Sequence, residues 1–427
     1  MSLVVFVLLI LSSILSIFTN GKRGIVLNVV LIWWFGWLLI STFSIGGVEV
    51  ASLDTYLIFI CFTTSIFFGS VLYRISKLNT YSLSSNEYGS HINEKLTLRF
   101  ERRVLKIAKY IVAPVVTFYF IKALYLFSIL DNLDMYRAQA FGVAGDGDSI
   151  LFGNGYIDLF YNLTIRNFIY LMLFSGLAVY VITGRLKILF IASVFSIMDA
   201  TMMLGRFQIY YLIVFVPMAY YIKNGRIGIN AVVATLIPIS LLVLITTMRV
   251  DVDLMQIIKS FLINYHTFSF KLFDNQYTNQ SSLLNNHTTY GIASLGQISS
   301  LFILFLRKFG YDVNPLGEVG PLLHESTIVG YDESLEVDIY ANAFYSILYT
   351  LYLDGGIFFI IIFALLMGYF LLRFTDRSSF VRLYFLFLIT YLLMFGIFQP
   401  VLFSGWLILI IMFYLIYYVR AGKICVK

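Results

Sequence analysis

The chain has 427 residues, of which 60% are hydrophobic, 18% aromatic and only 12% charged, with a mean hydropathy of +0.88. A soluble globular domain carries about 25% charged residues, so this composition excludes an ordinary soluble protein and indicates a polytopic membrane protein. Two cysteines, Cys61 and Cys425, exclude a disulfide framework, and the net charge of +6 is accompanied by no nucleic-acid-binding motif.

A helix needs roughly 20 apolar residues to cross a bilayer, and a backbone in hydrocarbon must satisfy its own hydrogen bonds. Apolar stretches that meet this requirement lie near 3 to 18, 25 to 44, 54 to 72, 107 to 130, 165 to 183, 188 to 205, 207 to 222, 229 to 248, 356 to 372, 383 to 398 and 402 to 419. The first lacks the basic start and small-residue cleavage site of a signal peptide and is read as a helix. The expected fold class is therefore all-α: a polytopic integral membrane protein of about 11 transmembrane helices (roughly 10 to 12), forming one domain over 1–427.

Orientation follows from the cations. The connections at 20–24, 73–109, 184–187, 223–226 and 373–382, with the tail from Arg420, hold 20 of the 29 basic residues but 4 of the 23 acidic ones. The positive-inside rule then makes 73–109 a basic cytoplasmic loop and puts the C-terminus in the cytoplasm. The N-terminus, the 131–164 loop and the large 249–340 loop are expected outside. Within the cytoplasmic loop, "SLSSNEYGSHINEK" reads as solvated coil and includes His91.

The external side carries the candidate chemistry. In the 131–164 loop Arg137 sits on a short amphipathic turn, and Asp146-Gly147-Asp148 reads as a turn rather than a metal site. Asp199 and Arg206 stand seven residues apart on the sixth candidate helix, which places them on one stripe. They are read either as members of an interhelical ion pair, or with the arginine snorkelling at the outer boundary, or as functional groups facing a cavity. Arg249 ends the eighth helix and opens the large loop. There, 254 to 268 has the apolar period of a helix lying on a surface, and "SSLFILFLRKFG" is too short to cross and suits a re-entrant or interfacial piece. His266, His287 and His324 read as surface or hydrogen-bonded residues. No nucleotide loop, zinc motif or nucleophile elbow is present in the sequence, and no cofactor or metal is expected.

Three features of the sequence are similar to the Wzy-type O-antigen and capsule repeat-unit polymerases, relatives of the O-antigen ligases, whose fold resembles that of GT-C-like enzymes. They are the Gly-Arg pair in "MLGRFQIYYLIV", the arginine that ends the next helix and opens a large external loop, and "NAFYSILYTLYLDGGIFF" before a long helix. Ligase-like members carry His-Asn where this chain has Ala341-Asn342, which favours a polymerase. The resemblance implies that undecaprenyl-diphosphate-linked oligosaccharide units are joined into O-antigen or capsular polysaccharide at the outer face of a bacterial inner membrane. It implies substrate-facing roles for Arg206 and Arg249, a loop-closing motif at Asn342 and Asp354, and a general base at His324 or Glu325; Arg137 stands beside these as a further substrate-binding candidate on the external loop. A chain-length regulator and a flippase would be its partners beside membrane lipid, with no nucleic acid. The alternatives carried with this reading are an O-antigen ligase or other lipid-linked glycosyltransferase, and a lipid-linked sugar flippase or transporter.

Overall fold

The computed structural model describes residues 24–78, 88–130, 133–140, 149–247, 258–311, 325–332, 336–341, 345–375 and 379–418. In chain order the helices are α1 (Ile25–Ser41), α2 (Leu53–Leu78), α3 (Tyr88–Ile107), α4 (Ala113–Ile129), α5 (Leu133–Ala140), α6 (Gly155–Phe160), α7 (Asn167–Thr183), α8 (Lys187–Met202), α9 (Phe207–Asn224) and α10 (Ile229–Thr247). There follow α11 (Tyr265–Thr278), α12 (Leu283–Asn286), α13 (Gln297–Lys308), strands β1 (Thr327–Asp332) and β2 (Val337–Ala341), then α14 (Ile347–Arg373), α15 (Phe380–Phe395) and α16 (Trp406–Tyr418). Each apolar stretch read from residue 25 onward coincides with one of these helices; the stretch at 3 to 18 lies outside the described residues. Among the described residues five helical runs are long and apolar enough to cross a membrane: Leu53–Lys77, Glu94–Ile129, Gly155–Thr183, Ile229–Thr247 and Ile347–Arg373. Ile25–Ser41, Phe380–Phe395 and Trp406–Tyr418 are shorter apolar helices.

The chain divides into two compact units, the first comprising 1–84, 253–376 and 388–407. Its centre is the pairing of α2 with α14. Gly69 lies against the backbone of Leu365 and Gly368 against that of Ile66, so closely that a Cβ at either position would strike the opposite carbonyl. Small residues allow this approach, which gains dispersion contact where lipid offers no hydrophobic drive. α1 joins through indole donors, Trp33 Nε1 to the Met394 carbonyl at 2.8 Å and Trp34 Nε1 to that of Leu393 at 2.7 Å.

Residues 254 to 268 were expected to lie flat on a surface, and the described part does not. A π-helical stretch, Ile258–Asn264, runs into α11, whose residues 266 to 270 and 272 to 274 are all buried. His266 stacks on Trp37 with ring centroids 4.1 Å apart and meets Trp33 and Phe398 edge-on. Burial holds its imidazole at a pKa of about 3, against a hydrogen bond with the Leu262 carbonyl that favours protonation. Asp274 accepts from Ser52 N and Thr55 Oγ1. Burial pushes its carboxyl up, but these bonds and Lys271 outweigh burial and leave it below the usual carboxylate range.

The structure is mostly helical, as expected, and this unit adds one short element that is not. β1 and β2 form an antiparallel hairpin with a register shift between Ile328 and Gly330. Its outer edge is covered by the turn after α1: Tyr331 N donates to the Gly47 carbonyl at 3.0 Å and Glu49 N to that of Val329 at 2.9 Å. Gly330 is required there, because a side chain would meet the Gly47 carbonyl.

The second unit comprises 85–252, 377–387 and 408–427. The supposed cytoplasmic loop 73–109 is largely helix, since α2 continues to Leu78 and α3 begins at Tyr88. Thr97, Phe100, Glu101, Val104 and Ala108 form a buried stripe at helical spacing, with the cations on the other faces. A π turn at Ala108–Val112 links α3 to α4 immediately before Pro114, whose ring displaces the preceding carbonyl and whose missing N–H leaves one acceptor unserved. Ala200, Ile209 and Ile245 make a small core with Ile213, Leu241 and Leu242, holding α8, α9 and α10 together.

Candidate functional site

The α8–α9 corner of the second unit holds the buried Asp199 and Arg206. α8 ends in a hydrogen-bonded reversal, with Leu204 N donating to the Thr201 carbonyl and Gly205 N to that of Ala200 at 2.8 Å. Leu204 takes the left-handed position of this reversal with φ 45°, where glycine is usual. The strain is about 1–2 kcal/mol and is offset by full burial of the side chain, 1% exposed. The chain therefore leaves α8 before Arg206, which starts α9 instead of lying on one helical stripe with Asp199 as the sequence spacing implied.

Asp199 is 0% exposed. Its carboxylate accepts from Tyr161 Oη at 2.9 Å, from Gln208 Nε2 at 2.8 Å, and from Arg166 through Nε at 3.1 Å and Nη2 at 3.3 Å. Arg166 Nη1 donates to Asn162 Oδ1, and Asn162 Nδ2 donates to Asp158 Oδ1 at 2.8 Å. An arginine has five N–H donors, so three are committed here and two are left on the guanidinium. The Arg166 side chain is 17% exposed, and its guanidinium carbon lies 5.6 Å from the centre of the Tyr161 ring.

Two further arginines belong to this corner by connectivity. Arg206 is 5% exposed, its carbonyl accepts from Ile209 N and Tyr210 N, and it lies two residues before Gln208. Arg137, half-buried, follows Tyr136 on α5, and the Tyr136 hydroxyl donates to the Met202 carbonyl at 2.6 Å. Burial pushes that phenol well above its ordinary pKa, which keeps it a neutral donor. Ser149 Oγ and Ile150 N return to the carbonyls of Ala140 and Gln139 and fix the end of α5. An apolar groove of about 420 Å³, lined by Pro114, Val115, Phe118, Tyr119, Ile157, Phe160 and Tyr161, opens beside Tyr161.

The remaining sequence candidates fall elsewhere. In the first unit Asp354 is 1% exposed and precedes a helix break at Gly355 and Gly356 (φ 63°) inside α14. Its Oδ1 accepts from Thr289 Oγ1 at 2.5 Å and from Gly291 N and Ala293 N at 3.0 Å, and its Oδ2 accepts from Ser294 N at 2.8 Å. Thr289 N also donates to the Leu353 carbonyl. Asp354 thus ties residues 289 to 294 to α14. Glu325 is exposed and lies within electrostatic reach of Tyr345, whose phenol is pushed up to about 12 by burial and further by that charge, with Thr327 and Gln276 beside its hydroxyl. Arg249, His324 and Asn342 lie outside the described residues, as do Asp146 and Asp148.

Sequence reasoning missed Arg166 because it stands at the very start of the 165–183 apolar stretch, next to the 131–164 loop, and reads as a charge at a helix end. The available signal was Asp199 itself: a carboxylate inside an apolar helix needs a cation, and Asn162 precedes Arg166 by one helical turn. No protein-family model, curated protein or solved structure matches this chain.

Proposed function

We propose that this chain is a glycosyltransferase that polymerises undecaprenyl-diphosphate-linked oligosaccharide units into O-antigen or capsular polysaccharide at the outer face of a bacterial inner membrane. The observation that carries the reading is the Arg166–Asp199 pair, with Arg137 and Arg206 on the elements that meet there. In the proposed reaction a sugar hydroxyl attacks the anomeric carbon of the donor, the C–O bond to the lipid diphosphate breaks, and the diphosphate departs with the electron pair. The hydroxyl proton passes to a general base, for which the sequence offers His324 or Glu325. The leaving group is anionic at neutral pH, so it needs charge stabilisation rather than a strong acid, and a guanidinium held side-on by a carboxylate presents its remaining donors to phosphate oxygens. Removing one such preorganised donor costs about 100- to 1000-fold in other enzymes.

The test is reconstitution in proteoliposomes with lipid-linked repeat units as the only substrate. A ladder of products is expected, lost in Arg166→Lys although the charge is retained. Unit translocation without a ladder would identify a flippase. Transfer of preformed polymer to a separate acceptor would identify a ligase. Either result, or an unaltered ladder from Arg166→Lys, overturns the reading.

A further inference from the structure

The helix α13 has three distinct faces. At 100° per residue, Ser299 and Ile303 fall on one side and are buried, whereas Phe302, Phe305 and Phe309 fall on a second and are 57–64% exposed. Ser300 and Arg307 occupy a third, opposite the phenylalanines, while Lys308 lies on the flank between Leu301 and the 43% exposed Leu304. Leu301, 42% exposed, extends the apolar side. The helix carries no acidic residue, and both of its cations lie in the last turn.

The fold also fixes its level. Twelve residues rise about 18 Å, too little to cross roughly 30 Å of hydrocarbon. The segment before it is tied to the Asp354 break, after which α14 runs apolar from Ile357 to Leu372. Trp406, the first residue of the apolar helix α16, donates from Nε1 to the Ser294 carbonyl at 3.0 Å. Gly296, at the start of α13, lies against the carbonyls of Leu402 and Ser404 with no room for a Cβ. Within this unit, then, α13 begins level with the break that starts the apolar run of α14 and beside Trp406, and tryptophan marks the boundary between hydrocarbon and headgroups.

We propose that α13 lies flat in the bilayer interface, with Phe302, Phe305 and Phe309 in the acyl boundary and Arg307 and Lys308 among anionic lipid headgroups. The occupant of this face is lipid, because the phenylalanines and Arg307 point to opposite sides of the helix, as the two depths of one leaflet require, Lys308 reaches the headgroups from the flank on its long side chain, and the cations select anionic headgroups. The arrangement is independent of the glycosyltransferase reading. Holding the helix at the interface also sets the position of the 289–294 segment.

The test places nitroxides one at a time at Ser300→Cys, Phe302→Cys, Phe305→Cys and Phe309→Cys, in full-length protein carrying Cys61→Ala and Cys425→Ser. Proteins are reconstituted in phosphatidylcholine with and without phosphatidylglycerol. The ratio of oxygen to nickel-chelate relaxation should be several-fold higher at 302, 305 and 309 than at 300. Phosphatidylglycerol should raise it further at 305, and the Arg307→Gln, Lys308→Gln pair should abolish that rise. Equal nickel access at 300 and 305 would overturn the proposal. So would immobilised labels shielded from both reagents, which would indicate a second copy or a protein partner on this face. Only labelled proteins with the wild-type elution profile are compared, and Ser300→Cys, on the solvent-exposed side, serves as the internal reference.

Discussion

Replacing Asp354 should release residues 289 to 294 from α14 by an amount that depends on how many donors lose their acceptor. Four donors converge on its carboxylate, three of them backbone N–H groups. In Asp354→Asn the amide oxygen is best placed at the Oδ1 position, where it keeps Thr289, Gly291 and Ala293, and the NH2 then faces Ser294 N. One N–H is orphaned and three bonds lose their ionic strength, for about 2–3 kcal/mol given roughly 1–3 kcal/mol per orphaned group. Asp354→Ala orphans all four donors. Because Gly291 and Ser294 are only partly buried and water can reach them, the expected cost is about 4–5 kcal/mol rather than the full sum. Thr289→Val removes one hydroxyl and should cost about 1–1.5 kcal/mol. Amide hydrogen exchange over 289–296 in detergent reads this directly, since 2–3 kcal/mol corresponds to roughly 30- to 150-fold faster exchange where local opening controls it. The order Ala > Asn > Thr289→Val is expected, with α2 unaffected. Wild-type protection of these amides in the alanine variant would refute the reasoning. If that variant fails to fold, the graded pair of Asn and Thr289→Val remains informative.

Two further outcomes follow from other buried groups. Asp199→Ala leaves the Arg166 guanidinium buried without its carboxylate and should destabilise the second unit by about 3–5 kcal/mol, whereas the double variant Asp199→Leu, Arg166→Met should recover most of that loss; thermal unfolding of the three proteins checks this, and a double variant no better than the single one refutes it. His266 is held neutral in the folded chain with a pKa of about 3 against 6.5 when unfolded, so the unfolded state binds the extra proton between these values. Stability is then fully present above pH 6.5 and falls as pH drops towards 3, by at most about 1.4 kcal/mol per unit from this group. Unfolding midpoints from pH 7 to pH 4 should therefore fall more steeply in the wild type than in His266→Gln, and parallel curves would refute the assignment.

The apolar helices were legible because hydrocarbon-length runs leave no alternative backbone structure. Their partners were less so. α3 was hidden because the eye follows its many cations, while the face that decides its conformation is a stripe one residue wide through Thr97, Phe100, Val104 and Ala108. The hairpin was hidden because its strands are five and six residues long and its pairing depends on a turn near residue 47, far away in sequence. Arg137 and Arg206 were legible as charges at helix ends. Their relation to Asp199 was not, because it depends on a left-handed leucine at 204 that no propensity favours.

Two of the buried carboxylates, Asp354 and Asp199, show why similar burial implies different work. Asp354 and Asp199 each accept from four donors, and both are inaccessible to solvent. The donors to Asp354 are all neutral and all drawn from residues 289 to 294, so its charge is spent on holding that backbone in place and nothing is presented outward. Two of the donors to Asp199 come from a guanidinium that retains two N–H groups beyond those committed to the carboxylate and Asn162. A carboxylate so placed fixes the plane of the arginine while lowering the net charge it must bury, which is what a preorganised oxyanion or phosphate site requires. The distinction predicts opposite responses to substitution: at Asp354 any loss of function should track the loss of loop protection. At the Asp199–Arg166 pair the Leu–Met double variant should restore stability and leave activity absent, because packing can replace an ion pair and cannot replace a donor.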